Sequence, residues 1–200
     1  HGFQAVFAGG CVRDALLNVN PKDIDVATAA RPEDVEQLFP GAKDVGKAFG
    51  VMIVDGLEIA SFRKDGIYED GRKPKDVTFS DIEEDAQRRD FTVNALFFDP
   101  LTNTVLDYVN GRTDLKRQVL RAVGDPHRRF EEDRLRILRA VRFVAQLGFA
   151  LEEKTLAGMF AFKDQLKGVS MERIRDEFSA LMLAKKTPLG LKLINDLDLL

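Results

Sequence analysis

The chain changes texture once, at Asp125-Pro126, and no other feature restricts its possible folds so strongly. Before that point short strand-like runs alternate with short helical ones; after it only helical periodicity remains. Such a chain reads as an α+β head over residues 1–125 followed by an all-helical part over residues 126–200. In the head, Ala5-Val6-Phe7-Ala8 predicts a strand running into Gly9-Gly10. A helix follows over Cys11–Asn18 with Val12, Leu16 and Leu17 on one face. Ile24–Ala27 predicts a second strand, and Pro32 opens a helix that Pro40 stops after Phe39. Asp55-Gly56 between Val51–Val54 and Leu57–Phe62 is a hairpin signal. Pro100-Leu101-Thr102-Asn103 joins a second hairpin of Leu96–Phe98 and Val105–Tyr108. Lys64–Pro74, with Gly66 and Gly71 among charges, reads as a loop, and Ser80 with Glu83 as a capping box. Val119–Val123 predicts a last strand. Arg129–Leu147 then predicts one unbroken helix ended by Gly148, with further helices near 152–163, 170–185 and 188–197.

The 200 residues are 44% apolar, enough for a core without covalent staples. Cys11 is the single cysteine, so no intrachain bridge forms and a reducing, cytoplasmic setting is expected. No apolar run nears the ~18 residues of a membrane span, and no signal-peptide pattern opens the chain. It begins His1-Gly2 without Met and closes on Leu197-Asp198-Leu199-Leu200, which reads as a fragment at both ends. The net charge of −3 hides a segregation: Arg112–Arg142 holds ten Lys/Arg against five Asp/Glu, whereas the rest carries 20 basic and 28 acidic residues. A local basic strip can hold phosphates without general stickiness; a solvated helix face is the plain alternative.

Asp23 and Asp25 flank Ile24 at the start of a strand, where alternation turns both carboxylates to one face. Two like charges so close cost energy unless a cation neutralises them. Oxygen-only ligands suit Mg²⁺, which completes its shell with water and phosphate, and no His or Cys nearby suggests zinc. Such a pair is common on surfaces; its neighbours make it specific. Gly9-Gly10 ends a strand and opens a helix, letting backbone N–H groups approach a triphosphate, and Arg13 sits one turn on. The spacing matches neither a Walker loop nor a dinucleotide fingerprint. Glu58, mid-strand between Leu57 and Ile59, is the candidate third carboxylate, provided its strand lies beside the Asp-x-Asp strand.

Gly9-Gly10-Cys11-Val12-Arg13-Asp14 followed by Asp23-Ile24-Asp25-Val26-Ala27-Thr28 resembles the first motif of class II tRNA nucleotidyltransferases, the CCA-adding enzymes, a motif shared with bacterial poly(A) polymerases. Arg88-Arg89-Asp90-Phe91-Thr92-Val93-Asn94-Ala95 resembles the second motif and Leu120-Arg121-Ala122-Val123 the third. Glu132-Asp133-Arg134-Leu135-Arg136 resembles the fourth and Arg173-Ile174-Arg175-Asp176-Glu177 the looser fifth. The likeness runs in order from Gly9 to the end of the chain. It implies a nucleotidyltransferase head with a mixed sheet, resembling polymerase β, then a helical neck and the start of a body.

Within that resemblance each motif has its own chemistry. Asp133 and Arg136 fall at i and i+3 on one predicted helix, so a carboxylate acceptor and a guanidinium donor can imitate a base edge. Cytosine and adenine each pair an amino donor with a ring-nitrogen acceptor; uracil presents a carbonyl where the amino group should be. Such a matched pair discriminates by roughly 1–3 kcal/mol. Arg139 lies one helical turn further on and joins the nucleotide-binding set. Arg88 and Arg89 supply charge for the triphosphate, and Asp90 and Asn94 suit the ribose hydroxyls. The implied reaction uses two Mg²⁺ ions at Asp23 and Asp25, with ATP or CTP as nucleotide and the tRNA 3′ end as acceptor. Arg13, Arg89 and Lys47 stabilise charge, and Arg121, Arg128 and Arg142 hold the acceptor strand. No obligate protein partner and no membrane are implied.

Val45-Gly46-Lys47-Ala48-Phe49-Gly50 lacks the paired basic residues of the poly(A) polymerases, and Asp65–Arg72 keeps a loop that CC-only enzymes lack. Arg134 after Asp133 leans toward enzymes that add only the terminal A. A poly(A) polymerase, a transferase acting on a small molecule or protein, and a non-catalytic RNA-binding module are the alternatives.

Overall fold

A computed structural model describes residues 1–66 and 76–199. The greater part of the expected loop over Lys64–Pro74 lies outside these residues.

Packing divides the chain into two compact units, the first ending at Arg112 and the second beginning at Thr113. In chain order the elements are β1 (Ala5–Ala8), α1 (Gly10–Leu16), β2 (Asp25–Thr28), α2 (Pro32–Leu38), β3 (Lys43–Gly46), β4 (Val51–Val54), β5 (Leu57–Ser61), β6 (Arg63–Asp65), β7 (Val77–Phe79), α3 (Ile82–Gln87), β8 (Leu96–Asp99), β9 (Thr104–Asp107) and α4 (Gly111–Arg117). There follow β10 (Val119–Leu120), α5 (Pro126–Glu132), α6 (Leu135–Leu147), β11 (Ala150–Leu151), α7 (Glu153–Phe162), α8 (Met171–Met182) and α9 (Thr187–Asp196).

The first unit is built on a seven-stranded sheet in the order β3-β4-β5-β2-β1-β8-β9. It is mixed: β2 and β5 run parallel, and their neighbours pair antiparallel. The β4–β5 hairpin closes at Asp55 and Gly56, with φ of +50° and +86°, the two positive angles of a type I′ turn. Alternation sends Val6, Ala8, Ala27 and Phe97 to one side of the sheet, where Ile82 and Ala86 of α3 and the ring of Phe62 cover them. Ala30, Val35 of α2, Met52 and Val54 form a second apolar cluster. Burying residues of this kind is worth about 1.5–3 kcal/mol each, and this burial holds the strands that carry the acidic and glycine motifs.

The second unit packs its helices without an extended sheet. Glycine lets them approach: a methyl group on Gly158 would lie 3.0 Å from Phe130, and one on Gly190 would lie 2.4 Å from Leu181.

Several sequence expectations shift. The single helix over Arg129–Leu147 is two, because Asp133 is extended (φ −148°, ψ 106°) and its side chain caps the N–H of Leu135. The cap of α3 is Asp81, which accepts the N–H of Glu84, rather than Ser80. Lys64 and Asp65 pair in β6 with β7 instead of looping. The strand over Val119–Val123 contracts to β10, which pairs in parallel with β11. That pairing ties β10 to the helices, so the packing boundary falls before the compositional one at Asp125-Pro126.

Candidate active site

In the first unit β1 runs into a glycine that no other residue could replace without strain. Gly9 has φ +73° and ψ −128°, a glycine conformation, and its N–H still bonds the Leu96 carbonyl at 2.9 Å. The turn lets α1 start at once, which places Arg13 in the first turns of the helix. Arg13 is buried; it pairs with Asp14 and donates to Asn94 Oδ1 at 2.5 Å. Asn94 in turn donates to Asp90 Oδ1 at 3.2 Å. Asp90 and Asn94 therefore meet, but not on the α-helix expected of them. Asp90-Phe91 is non-helical, and Thr92–Asn94 is a 3-10 turn.

Arg89 reaches the same place from the end of α3. Its Nη1 donates to the Asn94 carbonyl at 3.3 Å, and a methyl group on Gly9 would lie 3.0 Å from that nitrogen. Its guanidinium lies over the Phe97 ring, 4.7 Å from the centroid. The side-chain and backbone oxygens of Asn94 thus anchor Arg13 and Arg89 respectively, beside the glycine turn. Lys47, expected beside them, pairs instead with Glu36 at 2.6 Å.

The carboxylates come together through the sheet. In the parallel β2–β5 ladder Asp25 stands opposite Glu58, and Asp23 lies in the bend just before β2. Partial burial raises the Asp25 pKa; the nearby Arg89 opposes the rise and Asp23 adds to it. Burial and then repulsion by Asp25 raise Glu58, against the pull of Arg63. Both carboxylates hold protons more tightly than usual, chiefly because burial disfavours their charged forms and secondarily because a neighbouring carboxylate repels them. A divalent cation would remove that cost, and the donors are all oxygen, which fits Mg²⁺. Among the described residues no three His, Cys, Asp or Glu side chains converge closely enough to cage an ion alone. An ion here would draw further ligands from water and phosphate, as Mg²⁺ does.

In the second unit the fourth motif straddles the break between α5 and α6. Asp133 and Arg136 therefore do not share one helix, and the i,i+3 geometry expected of them does not form. Each is instead held separately. Arg173 of α8 grips Asp133 with Nη1 at 3.2 Å and Nη2 at 2.7 Å. Arg136 donates to Glu132 Oε2 at 2.8 Å and to the Arg129 carbonyl at 3.0 Å. Arg139 and Arg142 meet Glu177 at 3.3 and 2.5 Å, and Arg142 also lies 4.1 Å from the centroid of the Phe143 ring. Arg121 is bound by Asp114 and Glu152 at 3.0 and 3.1 Å. Of the three arginines assigned to the acceptor strand, Arg128 is the open one, its side chain 72% exposed beside Glu132. The basic strip is thus largely paired, partly with its own Asp114 and Glu132 and partly with Glu152 and Glu177 brought in from later in the chain. Sequence reasoning missed Glu132 as the partner of Arg129 and Arg136, although their i+3 and i+4 spacing was readable. It also missed that the fifth motif supplies partners to the fourth.

Among the described residues no helix is long and apolar enough to cross a membrane. Residues 5–121 match the poly A polymerase head domain, and residues 148–200 match the probable RNA and SrmB- binding site of polymerase A. A CCA-adding enzyme of Limosilactobacillus fermentum is 47% identical over 203 residues, which cover 99% of this chain and 50% of that protein. The crystal structure of the Bacillus stearothermophilus CCA-adding enzyme in complex with CTP superposes with a TM-score of 0.91 at 39% identity, over 100% of this chain and 49% of that one. A tRNA nucleotidyltransferase complexed with a primer tRNA and an incoming ATP analog superposes with a TM-score of 0.80 at 28% identity, over 98% and 58%. The chain spans about half the length of the curated relatives it matches.

Proposed function

The chain belongs to the poly(A) polymerase head-domain family, and from that premise we propose that it carries the catalytic machinery of a template-independent tRNA nucleotidyltransferase. The enzyme adds CMP and AMP from CTP and ATP to the 3′ end of tRNA, completes a CCA terminus and releases pyrophosphate in the cytoplasm. One observation carries the reading: a single unit unites carboxylates of raised pKa on β2 and β5 with a glycine turn that Arg89 crosses.

Asp23 and Asp25 would hold Mg²⁺, two ions in the full reading, with Glu58 adding charge opposite Asp25. When bound, such ions lower the pKa of an attacking 3′ hydroxyl and neutralise charge on a departing pyrophosphate. The open backbone at Gly9-Gly10 admits a triphosphate, toward which Arg13 and Arg89 present guanidinium donors. Asn94 and Asp90 orient those arginines and supply polar groups for the ribose hydroxyls. In the helical unit Asp133 Oδ1 already accepts from Leu135 and Arg173, whereas Oδ2 accepts from Arg173 alone. Oδ2 is thus the oxygen with room for a base amino group, and Arg136 donates to the ring nitrogen. Arg139 stays assigned to the nucleotide. Arg128, the most exposed of the three although it too pairs with Glu132, contributes most to the acceptor strand, with Arg121 and Arg142 adding charge from more enclosed ion pairs.

The test uses the full-length enzyme with tRNAs ending before CCA, after one C and after CC, each given one nucleotide at a time. CTP should extend the first two, and ATP only the third. Extension of the CC-ending tRNA alone would identify an A-adding enzyme, a branch that Arg134 favours. Long A tails on unrelated RNA would identify a poly(A) polymerase, and no RNA product would point to a small-molecule or protein acceptor. Asp23→Ala with Asp25→Ala should abolish incorporation without unfolding the chain; retained incorporation would refute the metal assignment.

A further inference from the structure

Among the described residues of the first unit Asp85 is the most deeply buried charged side chain, 1% exposed, and the reaction described above does not use it. It sits in α3 one turn before Arg88 and Arg89. Its Oδ1 accepts from Arg88 Nε at 2.8 Å and its Oδ2 from Arg89 Nε at 3.1 Å and Nη2 at 3.0 Å. Arg88 Nη2 lies 2.7 Å from the same Oδ1, and the backbone N–H of Arg63 donates to it at 3.3 Å. Arg88 also lies 3.9 Å from Asp65, so it has a second acid. Arg89 has Asp85 on one edge, the Phe97 ring beneath it and the Asn94 carbonyl at Nη1.

Burying a carboxylate to bind two arginines is a poor way to stabilise a core; an apolar residue of similar size often does as well. What the carboxylate provides is direction. A guanidinium has five N–H donors in a rigid fork, and Asp85 and Asn94 occupy three on Arg89. The fork is thereby fixed with Nη1 beside the Gly9 turn.

We propose that Asp85 is a positioning residue for the nucleotide: its carboxylate sets the orientation in which Arg89 meets the triphosphate at the Gly9-Gly10 turn. The proposal rests on the reading that this turn takes a nucleoside triphosphate. Asp85 touches no substrate and acts through Arg89. It follows that Asp85 governs affinity for the polyphosphate part of the nucleotide and leaves affinity for the nucleoside part alone.

The test measures inhibition of the full-length enzyme by inorganic tripolyphosphate and by adenosine in the wild type, Asp85→Asn, Arg89→Ala and the double variant, with melting temperatures alongside. Asp85→Asn should raise the tripolyphosphate inhibition constant about tenfold, or 1.4 kcal/mol, and leave that for adenosine unchanged. The double variant should be no worse than Arg89→Ala alone. A constant that moves in Arg89→Ala but not in Asp85→Asn overturns the proposal and leaves the nucleotide reading intact, as does a loss that affects both inhibitors equally. If Arg89→Ala moves neither constant, both the proposal and the assignment of Arg89 fail. Should Asp85→Asn not fold, Asp85→Glu keeps the core ionised and displaces the carboxylate by one methylene. It should raise the tripolyphosphate constant selectively, and unchanged constants overturn the proposal.

Discussion

Replacing Gly9 by Ala tests the glycine turn directly, and the cost can be worked from three features. The backbone there, φ +73° and ψ −128°, lies outside the regions open to L-residues, which costs about 1–3 kcal/mol. The added methyl group would stand 3.0 Å from Arg89 Nη1 and 3.5 Å from the Asn94 oxygen. Arg89 must then withdraw by a few tenths of an ångström, and its bond to Asn94, already 3.3 Å long, is lost for about 1 kcal/mol more. Gly9→Ala should therefore destabilise the enzyme by about 2–4 kcal/mol and weaken nucleotide binding through Arg89. Gly10→Ala is the matched control. Gly10 begins α1 at an ordinary φ, and its methyl group would meet nothing nearer than Arg13 Nη2 at 3.7 Å, so stability should hold or rise by roughly 0.5 kcal/mol. Urea titration gives the stabilities, and initial rates give KM for ATP and CTP. A Gly9→Ala enzyme within about 1 kcal/mol of wild type and with unchanged KM would refute the strained-turn argument.

Asp25→Asn should abolish nucleotide transfer yet raise the melting temperature in cation-free buffer, because it removes a charge that burial disfavours and that Glu58 and Asp23 repel, effects that outweigh the attraction of Arg89 by about a few tenths of a kcal/mol; a lowered melting temperature would contradict that balance. Burial pushes the Asp85 carboxyl up, but Arg89 and Arg88 outweigh it and hold its folded pKa below the ordinary 3.8. Its contribution is complete above that value and drains away as pH falls through the folded pKa. The stability gap between wild type and Asp85→Asn, followed by urea titration at several pH values, should close below about pH 4; a constant gap would assign the effect to packing. Arg173→Met removes the bidentate partner of a largely buried Asp133 and should cost about 1–3 kcal/mol. It should also narrow the preference for CTP and ATP over UTP and GTP in incorporation assays; unchanged selectivity would argue that Arg173 does not orient Asp133.

Local chemistry made much of this readable in the sequence. Asp55-Gly56 and Pro100–Asn103 announced their hairpins because turn residues act within a few positions. The glycine turn was legible because short spacing set its geometry, whereas strand alternation covers only Asp25 of the Asp-x-Asp pair: β2 starts there, and Asp23 lies in the bend before it. The break at Asp133 was hidden. Phe130, Leu135, Ile137 and Val141 are all buried and keep an apolar pattern across it, while the extended conformation comes with an arginine 40 residues away. The pairing of Glu177 with Arg139 and Arg142 likewise spans 38 and 35 residues. Charge counting saw a basic strip because it could not see Glu152 and Glu177 folding onto it from outside. Asp85 shows a different limit: its spacing to Arg88 and Arg89 was visible, but its burial follows from α3 covering the sheet.

The order of the seven strands leaves β3 and β9 on the flanks, each offering a row of backbone amides and carbonyls that a second chain could pair with. Both flanks resist it. Lys43 and Asp44 put opposite charges on β3, whose register slips between Asp44 and Gly46, and β9 ends at Asp107, whose carboxylate folds back onto three backbone N–H groups. Lateral growth into fibrils is thus discouraged on either side. Exchanging Lys43 and Asp44 for valine and threonine would remove that protection from β3 and invite self-association while the reactive centre stayed intact.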